Sequence, residues 1–215
     1  MADNDSRAGM RYTTPEILDY VNTIHGGHDA ALARAFAVPE GVPAIQVSPS
    51  DGRLIHVLLR MLDARKVVEI GTLVGYSAIR IARGLSPGGR LWTIECDPHH
   101  AELARANLAA ANLSHNVHVV LGSARDTLPQ LAKEGPFDAV FIDADKVNYD
   151  HYGQWALDNL RPGGLVIGDN AYLFGDLMTD KAEAQAMRAF HELVAQACES
   201  VCAPTPDGMV VGIRR

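Results

Sequence analysis

From Lys66 onward the chain alternates short apolar runs with segments of helical spacing, and this alternation leaves few folds open to it. The runs fall at 66–70, 90–95, 117–121, 137–142 and 164–168. Helical patterns fill the gaps at about 76–84, 98–112, 125–133 and 148–160. Strands that alternate with helices predict a parallel, doubly wound α/β sheet. The end of the chain differs. A helix is expected near 180–198, then a hairpin of Ser200–Ala203 and Met209–Ile213 around Pro204-Thr205-Pro206-Asp207-Gly208. The hairpin places one antiparallel strand in a sheet of seven.

Three helices are expected ahead of the first strand. Thr14-Pro15-Glu16 is a helix start, with Thr14 as N-cap and Pro15 in the first helical position. Ile17, Leu18, Val21 and Ile24 follow as one apolar stripe at helical spacing. A second helix covers Ala30 to Ala37, and a third runs from near Ser50 to Ala64 with Leu54, Ile55, Leu58, Leu59 and Leu62 apolar. These helices are expected to cap the ligand edge of the sheet. The chain reads as a single domain, 1–215, with a loose tail at 1–13, a helical cap at 14–64 and an α/β core at 65–215.

Composition narrows the function classes. The chain has 215 residues, enough for one domain with a full core. Its 19 basic and 26 acidic residues give a net charge of −7, which argues against a general binder of phosphate backbones. No apolar run reaches the roughly 18–20 residues that span a bilayer. The start, Met1-Ala2-Asp3-Asn4-Asp5-Ser6, is unlike a signal peptide. Three cysteines, Cys96, Cys198 and Cys202, lack close pairing and suit a reducing cytoplasm.

Two of the apolar runs end in oxygen-bearing side chains. Phe137 to Ile142 leads into Asp143-Ala144-Asp145-Lys146, and Leu165-Val166-Ile167 leads into Gly168-Asp169-Asn170. Ligands of open α/β sheets bind outside the carboxyl ends of the strands, so Asp143, Asp169 and Asn170 are expected to converge there. Three oxygen ligands suit a hard divalent cation such as Mg²⁺. Lys146 falls within reach of the same spot. His25-Gly26-Gly27-His28 has two imidazoles at i, i+3 spacing but no third ligand nearby, and reads as loop histidines. Tyr149, Tyr152 and Trp155 read as core or surface aromatics, whereas Tyr172, Leu173 and Phe174 are candidates for a substrate wall.

The first strand ends Glu69-Ile70-Gly71-Thr72-Leu73-Val74-Gly75-Tyr76-Ser77, where glycines permit a sharp turn and close approach of a ligand. Neither the dinucleotide fingerprint nor the Walker loop is present. Glu69 can accept from an ammonium group, and Ser77 with free backbone N–H groups can hold a carboxylate. Together they describe an amino acid. Glu95 ends the second strand 24 residues past Gly71, placed to accept from ribose hydroxyls. The small-residue loop Gly122-Ser123-Ala124 suits the flank of a flat base. Amino acid, ribose and base together describe S-adenosylmethionine.

These segments, with Phe141-Ile142-Asp143-Ala144-Asp145-Lys146-x-x-Tyr149 and Gly168-Asp169-Asn170, resemble the cation-dependent catechol and caffeoyl-CoA O-methyltransferase family over about residues 44–215. The resemblance implies a Rossmann-like class I methyltransferase fold and a homodimer. It implies cofactor contacts from Val47, Glu69, Gly71, Thr72, Ser77, Glu95, Ala124 and Asp143. It further implies Asp143, Asp169 and Asn170 as metal ligands and Lys146 as catalytic base, with Asp143 serving both the metal and the cofactor. Lys146, Asn170, Tyr172 and Phe174 are the candidate substrate contacts. The expected reaction is Mg²⁺-dependent transfer of a methyl group to one hydroxyl of a vicinal diol. The alternatives are methylation of hydroxylated uridine in transfer RNA and an NAD-dependent oxidoreductase on a similar sheet.

Overall fold

Strand β1 (Lys66–Ile70) is buried from Val67 to Ile70 and pairs in parallel with β2 (Arg90–Glu95) on one side and β4 (Phe137–Ile142) on the other. The computed structural model describes residues 14–215. The tail expected over 1–13 lies outside them. Beyond β2 lies β3 (Val117–Leu121). Beyond β4 come β5 (Leu160–Gly168), β7 (Met209–Arg214) and β6 (Cys198–Ala203), giving the order β3-β2-β1-β4-β5-β7-β6. All pairings are parallel except those of β7, which runs antiparallel to both β5 and β6. The sheet is therefore the expected one. Chain order reverses between β1 and β4, which opens a crevice at their carboxyl ends.

Helices cover both faces: α4 (Tyr76–Gly84) and α5 (Pro98–Ala110) on one, α6 (Ala124–Leu131), α7 (Tyr149–Asn159) and α8 (Ala182–Ala197) on the other. Successive strand residues point to opposite faces. Val67, Ala139, Phe141 and Ile167 thus join one apolar core with Tyr76 and Ile79. Val68, Ile70, Val140 and Val166 join the other with Tyr152, Met187 and Phe190. Because both faces are covered, the strands read as continuous apolar runs rather than alternating ones. Strand β5 begins at Leu160, four residues earlier than its apolar run predicts, because Leu160 pairs with Phe137 across a register shift.

The cap consists of α1 (Pro15–His25), α2 (Ala30–Phe36) and α3 (Pro49–Met61). Thr14 caps α1 as expected, its Oγ1 accepting from Ile17 N at 3.4 Å. The predicted stripe is not buried, however: Ile17, Leu18, Val21 and Ile24 are 39–60% exposed, and no residue of α1 is buried. Periodicity identifies an apolar helix face but not what covers it. His28 hydrogen-bonds through Nε2 to the Tyr76 hydroxyl at 2.8 Å, and its ring packs on Phe36 and Tyr76. It thereby fastens the α1–α2 link to α4, while His25 stays exposed. No described helix is long and apolar enough to cross a membrane.

Candidate active site

The carboxyl ends of β1, β2, β4 and β5 open into a cavity of about 1050 Å³, roofed by residues 43–48 ahead of α3 and by the tip of the β6–β7 hairpin. Of the residues singled out above, Val47, Gly71, Thr72, Ser77, Glu95, Ser123, Ala124, Asp143, Lys146, Asp169, Asn170 and Phe174 line it. Two do not. Glu69 is fully enclosed beneath the floor, and Tyr172 packs its ring over Gly208 instead of facing the cavity.

At the β4–β5 end the backbone sets the geometry. Asp143 N donates to Ile70 O at 2.9 Å and Asp169 N to Ile142 O at 3.0 Å, so each residue continues its strand for one more rung. Asn170 then takes φ 54°, the left-handed region that Asn tolerates better than most residues. Burial, followed by the nearby Asp143 carboxylate, pushes the Asp169 carboxyl up to about 7. Two close carboxylates, one of them buried, are costly to ionise together without a cation. Lys146 Nζ donates to Asp143 Oδ1 at 3.0 Å and to the Tyr149 hydroxyl at 3.2 Å. The Tyr149 hydroxyl in turn points at the carbonyls of Ile142 and Asp169, 3.0 and 2.9 Å away. Tyr149 is thus more than a core aromatic, because it ties both strand ends to Lys146. Its position three residues after Lys146, on one face of the following turn, was the available signal.

Asp145 serves a different neighbour. Tyr152 donates its hydroxyl to Asp145 Oδ1 at 2.6 Å, and Asn148 Nδ2 donates to Oδ2. Burial and this carboxylate raise the Tyr152 phenol above its ordinary range. Asp145 therefore anchors the start of α7 and does not pair with Lys146. Among the described residues no three His, Cys, Asp or Glu side chains form a metal cluster, so the oxygen set is two carboxylates and the Asn170 amide.

At the β1–β2 end the carboxylates meet backbone. Glu95 Oε2 accepts from Thr72 N at 3.3 Å and Leu73 N at 2.7 Å, while Oε1 accepts from Asp97 N at 3.0 Å. It pins the turn that carries Gly71 and Gly75. Gly71 sits at φ 98°, and a Cβ there would lie 1.9 Å from Asp143 O. The glycine is required by the end of β4, a contact within the chain that adds to the sharp turn and ligand approach expected of it. Thr93 Oγ1 donates to Glu69 Oε2 at 2.6 Å, but the buried Glu69 Oε1 has no partner. Burial pushes Glu69 up to about 8. Ser123 precedes α6 without a side-chain capping bond, leaving its hydroxyl free beside Ala124. The 44–48 segment is held by Gln46 Nε2 donating to Phe36 O at 2.6 Å.

The substrate-side wall comes largely from residues that the sequence did not single out. The loop after Asn170 is joined to the hairpin tip by Ala171 N on Gly208 O (3.0 Å), Tyr172 N on Asp207 O (2.8 Å) and Phe174 N on Asp207 Oδ1 (2.8 Å). These bonds hold Phe174, which is 75% exposed, beside Pro206 and Asp207 at the rim. Asp51 and Ile45 complete it from the cap.

This geometry has close counterparts. A family model described as O-methyltransferase matches residues 30–215, starting upstream of the resemblance at 44. A catechol O-methyltransferase of Mycobacterium tuberculosis is 44% identical over 81% of this chain and 80% of its own. One of Niastella koreensis is 38% identical over 91% and 90%. The crystal structure of an O-methyltransferase from Bacillus cereus, in complex with SAH, superposes with a TM-score of 0.87 at 38% identity over 92% and 96% of the two chains. The fold is accordingly that of the expected methyltransferase class, and the oxidoreductase alternative falls away. The chain belongs to the O-methyltransferase family.

Proposed function

We propose that this O-methyltransferase moves the methyl group of S-adenosylmethionine to one hydroxyl of a vicinal diol, a catechol or similar phenolic, with Mg²⁺ held by Asp143, Asp169 and Asn170 and with Lys146 as general base. One observation carries the reading: the oxygen set and Lys146 occupy one end of a single cavity, the Gly71 turn occupies the other, and Asp143 borders both. The catechol named in two relatives supports the substrate class, and the SAH complex of the Bacillus protein supports the donor.

The residues fit both groups. A divalent cation offsets the mutual repulsion of Asp143 and Asp169, and the amide of Asn170 adds a neutral oxygen. For the cofactor, the buried Glu69 Oε1 is left without a partner, an acceptor for an ammonium whose charge would in turn favour the ionised carboxylate. Val47, Gly71 and Thr72 border that end, and Glu95, Ser123 and Ala124 border the nucleoside end. When bound, the cation lowers the pKa of a coordinated hydroxyl and the cofactor supplies an electrophilic methyl on its sulfonium. Lys146, acting as the neutral amine, takes the hydroxyl proton on Nζ and becomes the ammonium that Asp143 and Tyr149 hold in place. Phe174 and Ile45 flank the mouth and keep the diol ring in line with the donor. Holding two reactants in one cavity supplies much of the acceleration.

The test is a labelled-methyl assay. Catechol should be methylated with Mg²⁺, lose activity with EDTA and regain it when Mg²⁺ is restored, while a simple monophenol and bulk tRNA remain unlabelled. Full activity in EDTA, or equal turnover of the monophenol, would overturn the reading. The same reading takes a second copy of the chain as partner. The exposed apolar face of α1 supports this, and light scattering measures it.

A further inference from the structure

The cavity's charge is divided unevenly between its two ends. Its basic lining residues are His100, Arg125 and Lys146. His100 Nδ1 lies 3.9 Å from Glu95, and Arg125 donates to Asn148 Oδ1 at 2.8 Å, so both stand on the cofactor side. Among the described residues Lys146 alone reaches the substrate side, already engaged with Asp143. Facing it on the rim are two further carboxylates. Asp51, only 7% exposed, comes from α3, and Asp207 from the hairpin tip. Asp207 spends one oxygen on Phe174 N, and its other oxygen is buried with no partner. Asp51 has its Oδ2 on the Ser48 hydroxyl at 2.8 Å. Neither carboxylate has a basic partner among the described residues.

Resting on the diol reading above, we propose that Asp51 and Asp207 make the substrate end selective by charge: it accepts diols with a neutral or amine-bearing side chain and rejects those bearing a carboxylate or phosphate, CoA thioesters included. With a divalent cation balanced by Asp143 and Asp169, these two are the fixed charges that the rest of the diol meets. A partly enclosed, low-dielectric wall strengthens their field. An anionic tail gives up its hydration beside like charge, whereas an ammonium is drawn toward both carboxylates. Both carboxylates are held by local hydrogen bonds, so neither swings aside at low cost.

Three catechols of nearly equal size separate the contributions: 3,4-dihydroxyphenethylamine, 4-ethylcatechol and 3,4-dihydroxyphenylacetate. Their kcat/KM is measured with Mg²⁺ and S-adenosylmethionine, and their Kd by calorimetry on protein loaded with Mg²⁺ and S-adenosylhomocysteine. We expect the amine to exceed the acid at least about tenfold in both quantities, with the neutral diol between them. Asp207→Asn retains the acceptor for Phe174 N, and Asp51→Asn retains one for Ser48. Each should reduce the amine-to-acid ratio about threefold or more, and 0.5 M salt should compress it as well. An acid that binds and reacts as well as the amine overturns the charge selection, as does a ratio unmoved in both variants. Failure of the neutral 4-ethylcatechol to react at all would instead remove the diol reading on which the proposal rests.

Discussion

The two ends of the cavity hold their carboxylates in opposite ways. Glu95, at the end of β2, accepts three backbone N–H groups and is part of the scaffold. Asp169, one step past β5, is as deeply buried but receives only weak compensation, and its neighbour Asp143 repels it. The first carboxylate is satisfied by the fold before any ligand arrives. The second is left with a deficit that a bound cation would remove. One end is built to be rigid, and the other stores unfavourable charge for use in binding.

The largest effect that bears on this contrast is expected at Lys146, which belongs to the strained end. Lys146→Ala should lower kcat by about 10²–10⁴-fold, the usual range for a general base. Calorimetry should find S-adenosylmethionine binding retained, and a matching loss of cofactor affinity would move Lys146 into the scaffold instead.

Stability of the ligand-free protein should change in opposite directions at the two ends. Glu95→Ala removes a charged acceptor from Thr72, Leu73 and Asp97 and should cost roughly 2–3 kcal/mol in denaturant unfolding. Asp169→Asn should stabilise by an amount on the order of a few kcal/mol at pH 8.5. The sign follows from linkage. The folded-state pKa of about 7 lies above the ordinary aspartate value of 3.8, so the folded state holds the proton more tightly. Stability tied to that proton is complete below about pH 4 and is lost as pH rises through 7. The advantage of the Asn variant should therefore shrink from pH 8.5 to pH 6. A variant less stable than wild type at pH 8.5 would break the contrast.

The smallest effect expected is that of Tyr149→Phe, which removes the hydroxyl between Lys146 and the carbonyls of Ile142 and Asp169. It should cost about 1 kcal/mol of stability and about tenfold in kcat, with KM little changed. An unaltered kcat would leave Tyr149 as packing alone.

The fold was largely legible because the inner strands β1, β2, β4 and the second half of β5 are buried on both faces and so read as unbroken apolar runs. The bounds of β1, β2, β3 and β4 match the expected runs. The α1 stripe was legible as a helix, yet Ile17 and Ile24 point outward, because spacing reports a helix face and not its neighbour. The Asp-Ala-Asp-Lys and Asp-Asn segments brought Asp143, Lys146, Asp169 and Asn170 to one place, since residues just past adjacent parallel strands must lie side by side. Gly71 shows the limit of reading residues singly: its missing Cβ makes room for Asp143 O, which lies 72 residues later.

The sequence by itself determined the strands, their alternation with helices and the oxygen-bearing residues at their ends, because strand period and strand-end position are local properties of the chain. Tertiary structure alone decided which side chains close the cavity. Asp51, Ile45 and Asp207, none of them a sequence candidate, come from α3, the segment before it and the hairpin tip, and join Phe174 from the loop after Asn170. Only the hydrogen bonds joining Ala171, Tyr172 and Phe174 to Asp207 and Gly208 bring the last two of those segments together. A contact between segments so far apart in sequence leaves no period or spacing to read, and in this protein such contacts set the charge that a substrate meets.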